Sequence, residues 1–451
     1  MKSLFPLFFL LLISGCASYS SKKEAFHLQF NAGNFEAASV SMYTPIEKQK
    51  NCTSAENKLL PSDFSDLGRH KFFIGLNTGT AAMYSHNYAL SDAMFGVASD
   101  AITNDETASY SPKYYEKVML NTYRALALLQ AGDIENARVE FNRASSTQRD
   151  AAQENKKEIT QLKEEAEAEQ YQTNINAASE VIETEYNEFA DFKPYADFVN
   201  PYTSYISGLF MTFNGSKSDI ENGILDLKRV NSMSPENKFV KSDIRMAQNV
   251  ANKKKVSETI WVVYENGLIA EVEKQRIAVP FIIDGKFLIA HMALPKMVPL
   301  TSAYPYIQVS AGKHKISTQN IVDMDRVMKT EFQNRYPVEV TKAVIWMTVN
   351  LATQVAIQNN ARNNQLAAII ASAAIGSMSN PVETRTWSSL PKDIQVARLA
   401  MPKNRKVQIL DNEGKKISEE IIIDKGIKQA LIFVRVPTLM AKPSISVAKL
   451  K

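Results

Sequence analysis

Cysteine and histidine are scarce in this chain of 451 residues, which has two Cys, at 16 and 52, and five His, at 27, 70, 86, 291 and 314. That excludes a disulfide framework, a CxxC redox pair and a zinc site of the common Cys/His spacing. Neither sign of charge dominates. Lys and Arg number 52 against 48 Asp and Glu, and a surplus of +4 does not argue for a nucleic-acid partner. The motifs GxxxxGK[ST], GxGxxG after a strand, HExxH and GxSxG are missing. Beyond the N-terminus no run reaches the roughly 18 uncharged apolar residues of a membrane-spanning helix. His291 lies in an apolar strand and reads as a core histidine. The carboxylates between 158 and 188 lie on a polar helix, without the desolvation that makes a carboxyl an acid or base. No catalytic residue, metal or cofactor is expected, and the chain reads as a non-enzyme.

What is present is ordinary globular material. Hydrophobic residues make up 45% and charged residues 22%. At about 150 residues per domain the length suggests about three domains.

The N-terminus carries an address. Lys2 supplies a positive end, Leu4 to Ile13 is apolar apart from Pro6, and Ser14-Gly15-Cys16 closes the run. Too short to span about 30 Å of hydrocarbon, it reads as a signal peptide over residues 1–15. Ile13-Ser14-Gly15-Cys16 resembles the lipobox of bacterial lipoproteins. The resemblance implies that Cys16 becomes the first mature residue, an S-diacylglycerol cysteine also acylated on its amine as N-palmitoyl cysteine. Several acyl chains give stable anchoring. Ala17, in place of an Asp, points to the outer membrane, and residues 16–22 form a lipidated tether facing the periplasm. The alternative is an ordinary signal peptide with a chance cysteine. Cys52 is then the one free thiol and is expected to be buried.

Residues 23–252 read as helical. The segment Leu120 to Ala144 resembles a tetratricopeptide repeat (TPR), a pair of antiparallel helices. Gly132 falls where the first helix stops and Asp133 can cap the next. Ala137 is small enough for close approach, and Phe141 and Ala144 continue that face. Gly33 to Ala38 repeats the pattern, as does a unit containing Tyr205, Gly208, Gly215, Gly223, Leu227, Val230 and Pro235. A weaker copy runs through Tyr88, Ser91, Phe95 and Ala98. A plain irregular helical domain is the competing reading. Between the third and fourth copies, Asp150 to Glu188 reads as a long solvated helix with a thin stripe of Ile175, Ala178, Val181, Ile182 and Tyr186. A partner coiled coil is the alternative there.

Residues 256–451 change pattern. About eight short strands with Asn-Gly, Asp-Gly and similar turns suggest an antiparallel sandwich. Ile277–Ile283 and Phe287–Pro295 form an expected hairpin about Asp284-Gly285. A helical insertion at about 322–378 interrupts the strands, with a stop at Tyr336-Pro337 and an alanine-rich second half suited to close packing or a membrane surface. The fold class is therefore α+β: an N-terminal TPR-like all-α superhelix followed by a β-rich, sandwich-like domain with a long helical insertion. The halves are expected to separate near Asn252 to Val256.

Arg385-x-Trp387-x-x-Leu390-Pro391, with Trp261 to Gly267 and Ala293-Leu294-Pro295, resembles an uncharacterised family of bacterial TPR-containing outer-membrane lipoproteins. That family has no catalytic assignment to transfer. Arg385 and Trp387 are expected to stack, or to pin the insertion to the sandwich, rather than to touch a ligand. The resulting expectation is a lipid-anchored periplasmic adaptor that binds a protein partner through its TPR-like helices. Its setting would be cell-envelope assembly or cell-wall synthesis. The alternatives are an envelope enzyme acting on peptidoglycan or lipid, and a component of a secretion or surface machine.

Overall fold

A computed structural model describes residues 19–43, 70–103, 110–167, 169–186, 192–195, 199–360 and 379–451. Cys16, Cys52 and the second half of the helical insertion, 361–378, lie outside the described residues. The chain is α+β, with helices gathered N-terminally and sheets C-terminally.

The first helices come in short-looped pairs. They are α1 (Tyr19–Asn31) with α2 (Phe35–Tyr43), α3 (Lys71–Tyr84) with α4 (Tyr88–Thr103), and α5 (Tyr114–Ala131) with α6 (Ile134–Glu165). After α7 (Glu169–Glu185) come the pair α8 (Pro201–Asn214) and α9 (Lys217–Met233), then α10 (Lys238–Ala251). Small residues let the partners touch. A side chain at Gly208 would meet Leu227 Cγ at 2.9 Å and the Gly223 carbonyl at 3.0 Å, and one at Gly75 would meet the Met94 carbonyl at 2.7 Å. The first helix of each later pair, α3, α5 and α8, is buried on nearly every face.

Neighbouring helices cover much of them, and a five-stranded sheet covers part of the rest. Its order is β11 (Ser444–Lys449), β10 (Gln429–Val436), β1 (Thr259–Asn266), β7 (Asp393–Ala400), β6 (Gln319–Asp323). Every residue of β1 and β10 is buried, which is why both read as continuous apolar runs rather than alternating ones. Those two strands run parallel, with Thr259 opposite Gln429 and Asn266 opposite Val436. The expectation of a purely antiparallel sandwich fails here, because the strands flanking the insertion meet at the centre of one mixed sheet. A four-stranded sheet, β5 (His314–Ser317), β4 (Gln308–Ala311), β8 (Lys406–Leu410) and β9 (Ile421–Ile422), flanks it.

The expected hairpin is present as β2 (Glu271–Ile283) and β3 (Lys286–Val298), joined by Asp284 and Gly285 with φ of 48° and 74°. Both turn residues take left-handed values, the type I′ geometry that Asp-Gly favours. Its inner face packs with α7 and with α11 (Met324–Asn360) as a second core of Ala178, Ile182, Phe281, Met292, Val344 and Leu351. The polar 150–188 stretch is therefore not one solvated helix: its apolar stripe covers the hairpin. His291, expected in the core, is exposed on the hairpin's other face. Helix α11 also passes through the expected stop at Pro337. Pro337 is exposed, and the helix runs on through it although the proline leaves the Gln333 carbonyl without its helical donor. By length and composition Met324–Asn359 is apolar enough to cross a membrane, and its Val344, Met347, Leu351 and Val355 stripe packs in the second core.

The two sequence patterns meet near Asn252, but the main core does not divide there. Phe26, Tyr123 and Phe210 of the helices share it with Trp261, Trp387 and Phe433. Polar bonds cross the same seam. Buried Glu265 on β1 accepts from Tyr84 at 2.8 Å and from Tyr123 at 3.0 Å. Arg435, opposite it on β10, donates to the carbonyls of Glu265 and Gly267 at 3.0 and 2.6 Å.

Candidate functional site

A cavity of about 270 Å³ opens between the start of α5, helix α11, the β2–β3 hairpin and residues 380–386. Its size is near the lower end of small-ligand sites, which run ~300–1,000 Å³. Each wall has a local cause. Met328, Phe332, Ala343 and Trp346 recur along one side of α11 at helical spacing. Val272, Leu294, Pro295 and Met297 come from the end of the hairpin away from its turn. Asn380 ties down the third wall: its Oδ1 accepts from Ala293 N at 2.7 Å and its Nδ2 donates to the Ala293 carbonyl at 3.0 Å. The side-chain amide thus imitates a neighbouring strand, and Pro381 and Val382 follow it along the cavity.

The start of α5 closes the fourth side. Buried Glu331 accepts from the backbone N–H groups of Tyr114 and Tyr115, at 2.7 Å each. A carboxylate across a helix N-terminus meets two orphan donors and the positive end of the dipole. Burial pushes the Glu331 pKa up, and the two amides oppose that shift.

The rim is charged but neutralised within itself. Arg335 pairs with Glu158 at 3.0 Å and Glu339 at 3.5 Å, and Lys342 pairs with Glu158 at 2.6 Å. Lys113 lies 3.9 Å from Glu339. Arg385 pairs with Glu383 at 2.5 Å and lies over the rings of Phe73 and Tyr110, with centroids at 5.6 and 5.2 Å. Arg385 also approaches His70 Nδ1 at 3.5 Å, and His70 stacks on Tyr19 at 4.2 Å. The start of α1 therefore lies two side chains from the cavity rim. Just behind the wall, Glu116 is fully buried and accepts from Tyr110 at 2.6 Å and Lys113 N at 3.0 Å. Burial raises its pKa to about 7. Among the described residues no group of three or more His, Cys, Asp or Glu is placed to hold a metal.

The structure scatters the residues singled out in the sequence. Gly132 ends α5 at φ 85°, and Asp133 caps α6 by accepting from Asn136 N. Ala137, Phe141 and Ala144 are fully buried in the α5–α6 region. Gly215 ends α8 with extended backbone, not a left-handed one, and Pro235 is exposed in the turn between α9 and α10. Arg385 and Trp387 part company. Arg385 reaches the cavity, whereas Trp387 is fully buried against α3 and α5, with Tyr123 at 5.5 Å. Trp387 pins its segment to the helices, not the insertion to the strands. Arg335, Glu331 and Lys113 were missed, although charges at 331 and 335 beside Met328 and Phe332 on one helical stripe were a readable signal. No family model matches the chain, and neither a curated protein nor a solved structure matches it significantly.

Proposed function

We propose that this chain is a non-enzymatic, lipid-anchored scaffold of the bacterial envelope, held to the outer membrane through Cys16, with the cavity at α11 as its binding site. The observation that supports this reading is an apolar cavity whose rim cations each have a carboxylate partner. Such a site offers apolar surface and no uncompensated charge, so it suits an uncharged, apolar group. Peptide capture by the inner faces of TPR-like helices is the weaker form of the scaffold reading. Those faces, on α3, α5 and α8, are already covered by the chain's own helices and sheet. A protein partner would then meet the outer helices or the hairpin.

The test is a titration of the unacylated Cys16→Ser chain with the neutral dye Nile red. Saturable binding to one site is expected, lost in Ala343→Phe and Met297→Trp variants that keep the parent circular dichroism. Binding unchanged in both folded variants would contradict the reading.

A further inference from the structure

Resting on that reading of the cavity and of Cys16, the geometry points to a specific occupant: one acyl chain of the protein's own lipidated N-terminus.

The first argument is position. Cys16 precedes Tyr19 by three residues, and three residues reach at most ~10 Å when extended. Tyr19 stacks on His70, His70 meets Arg385, and Arg385 forms part of the cavity rim. An acyl chain on Cys16 is thus tethered within that reach of Tyr19, which is linked to the rim through His70 and Arg385. The second argument is chemistry. A thioether-linked glyceryl ester and an N-terminal amide carry no charge, which matches a rim whose cations are already paired. A free fatty acid or an anionic phospholipid would bring a negative charge to a rim whose cations, among the described residues, each have a carboxylate partner already. The third argument is size. About 270 Å³ accommodates part of one acyl chain, not a complete lipid.

The occupancy is compatible with anchoring. Of three acyl chains, two remain for the bilayer, and two lipid signals suffice for stable attachment. The third would draw the cavity mouth down to the membrane surface and fix how the body stands on it.

The experiment feeds cells a photoactivatable palmitate analogue that is incorporated into lipoproteins. The full-length protein is irradiated in place, purified and digested. The expected product joins the N-terminal lipopeptide beginning at Cys16 to a peptide containing Met328 or Trp346, within one chain. In Cys16→Ser that product should vanish. Labelling of the same cavity peptides by a phospholipid, with no N-terminal peptide attached and persisting in Cys16→Ser, would overturn the proposal in favour of a membrane-derived chain. No label at the cavity in a wild-type protein that is acylated would also overturn it. The Nile red titration separates this failure from failure of the cavity itself. A site that binds dye in Cys16→Ser but takes no label in the wild type remains a binding site, but not for this chain.

Discussion

Trp387 Nε1 donates to Thr80 Oγ1 at 3.1 Å across 307 positions of sequence, fastening the segment before β7 to helix α3. The same N–H lies 2.9 Å from Ser389 Oγ, which itself donates to Asn77 on α3 at 2.8 Å. The two halves of the chain are therefore closed by a buried aromatic with its polar handle satisfied. Trp387→Ala is expected to cost ~3–5 kcal/mol, and Trp387→Phe, which keeps most of the ring, ~1–2 kcal/mol. Urea unfolding followed by far-ultraviolet circular dichroism checks both. An unchanged helical transition in Trp387→Ala would mean that the helices fold without the strands, as a break near Asn252 requires.

Two glycines with similar backbone angles should respond very differently to alanine. Gly33 has φ 78° and Gly132 has φ 85°. Around Gly132 an added Cβ meets nothing within 4 Å, so only the left-handed conformation is penalised, at ~1 kcal/mol. At Gly33 the Cβ would run into the backbone of Lys442, whose N–H donates to the Ala32 carbonyl at 3.1 Å. Gly33→Ala should therefore be clearly the more destabilising of the two by thermal unfolding. Equal melting temperatures would contradict the close packing of the α1–α2 turn on the connection between β10 and β11.

Glu116 should pull stability down as pH rises toward neutrality, against the opposite contribution of His27, which burial holds down at about 4. Glu116 has an ordinary value of 4.5 and is raised by burial to about 7, and its Oε1 has no hydrogen-bond partner among the described residues. Between those values the folded chain holds a proton that the unfolded chain has released, so unfolding becomes easier with rising pH. Buried Asp393, raised to about 6 mainly by burial, acts in the same direction. Glu116→Gln should make the slope of melting temperature against pH more positive between about pH 5 and pH 7. A slope identical to that of the parent would show that Glu116 is ionised throughout.

How much of this was legible follows the range of the interaction. The β2–β3 hairpin is local: alternation and Asp284-Gly285 fix its register within a few residues. The parallel pairing of β1 with β10 joins residues about 170 apart, as between Glu265 and Arg435, and nothing local encodes it. The short strands β6 and β11 were not distinguished in the sequence for the same reason. Helix α11 was broken in the sequence reading at Pro337 because a local rule was applied where an exposed position tolerates the lost donor. The cavity draws its walls from segments between Lys113 and Thr386, so only its α11 stripe had a sequence signature.

The address itself is open to a simple experiment. Cys16→Ser should lose acylation and accumulate as the unprocessed precursor. Undiminished incorporation of radiolabelled palmitate in that variant would refute the lipobox reading.

The most direct measurement of the central claim replaces Trp346, already a large aromatic on the cavity wall, with a photocrosslinking aromatic amino acid in the otherwise wild-type protein in intact cells. The account predicts a product of monomer mass in which the α11 peptide is joined to the lipidated N-terminal peptide. A product joined to a different polypeptide, or no N-terminal product from a folded and acylated protein, would contradict it.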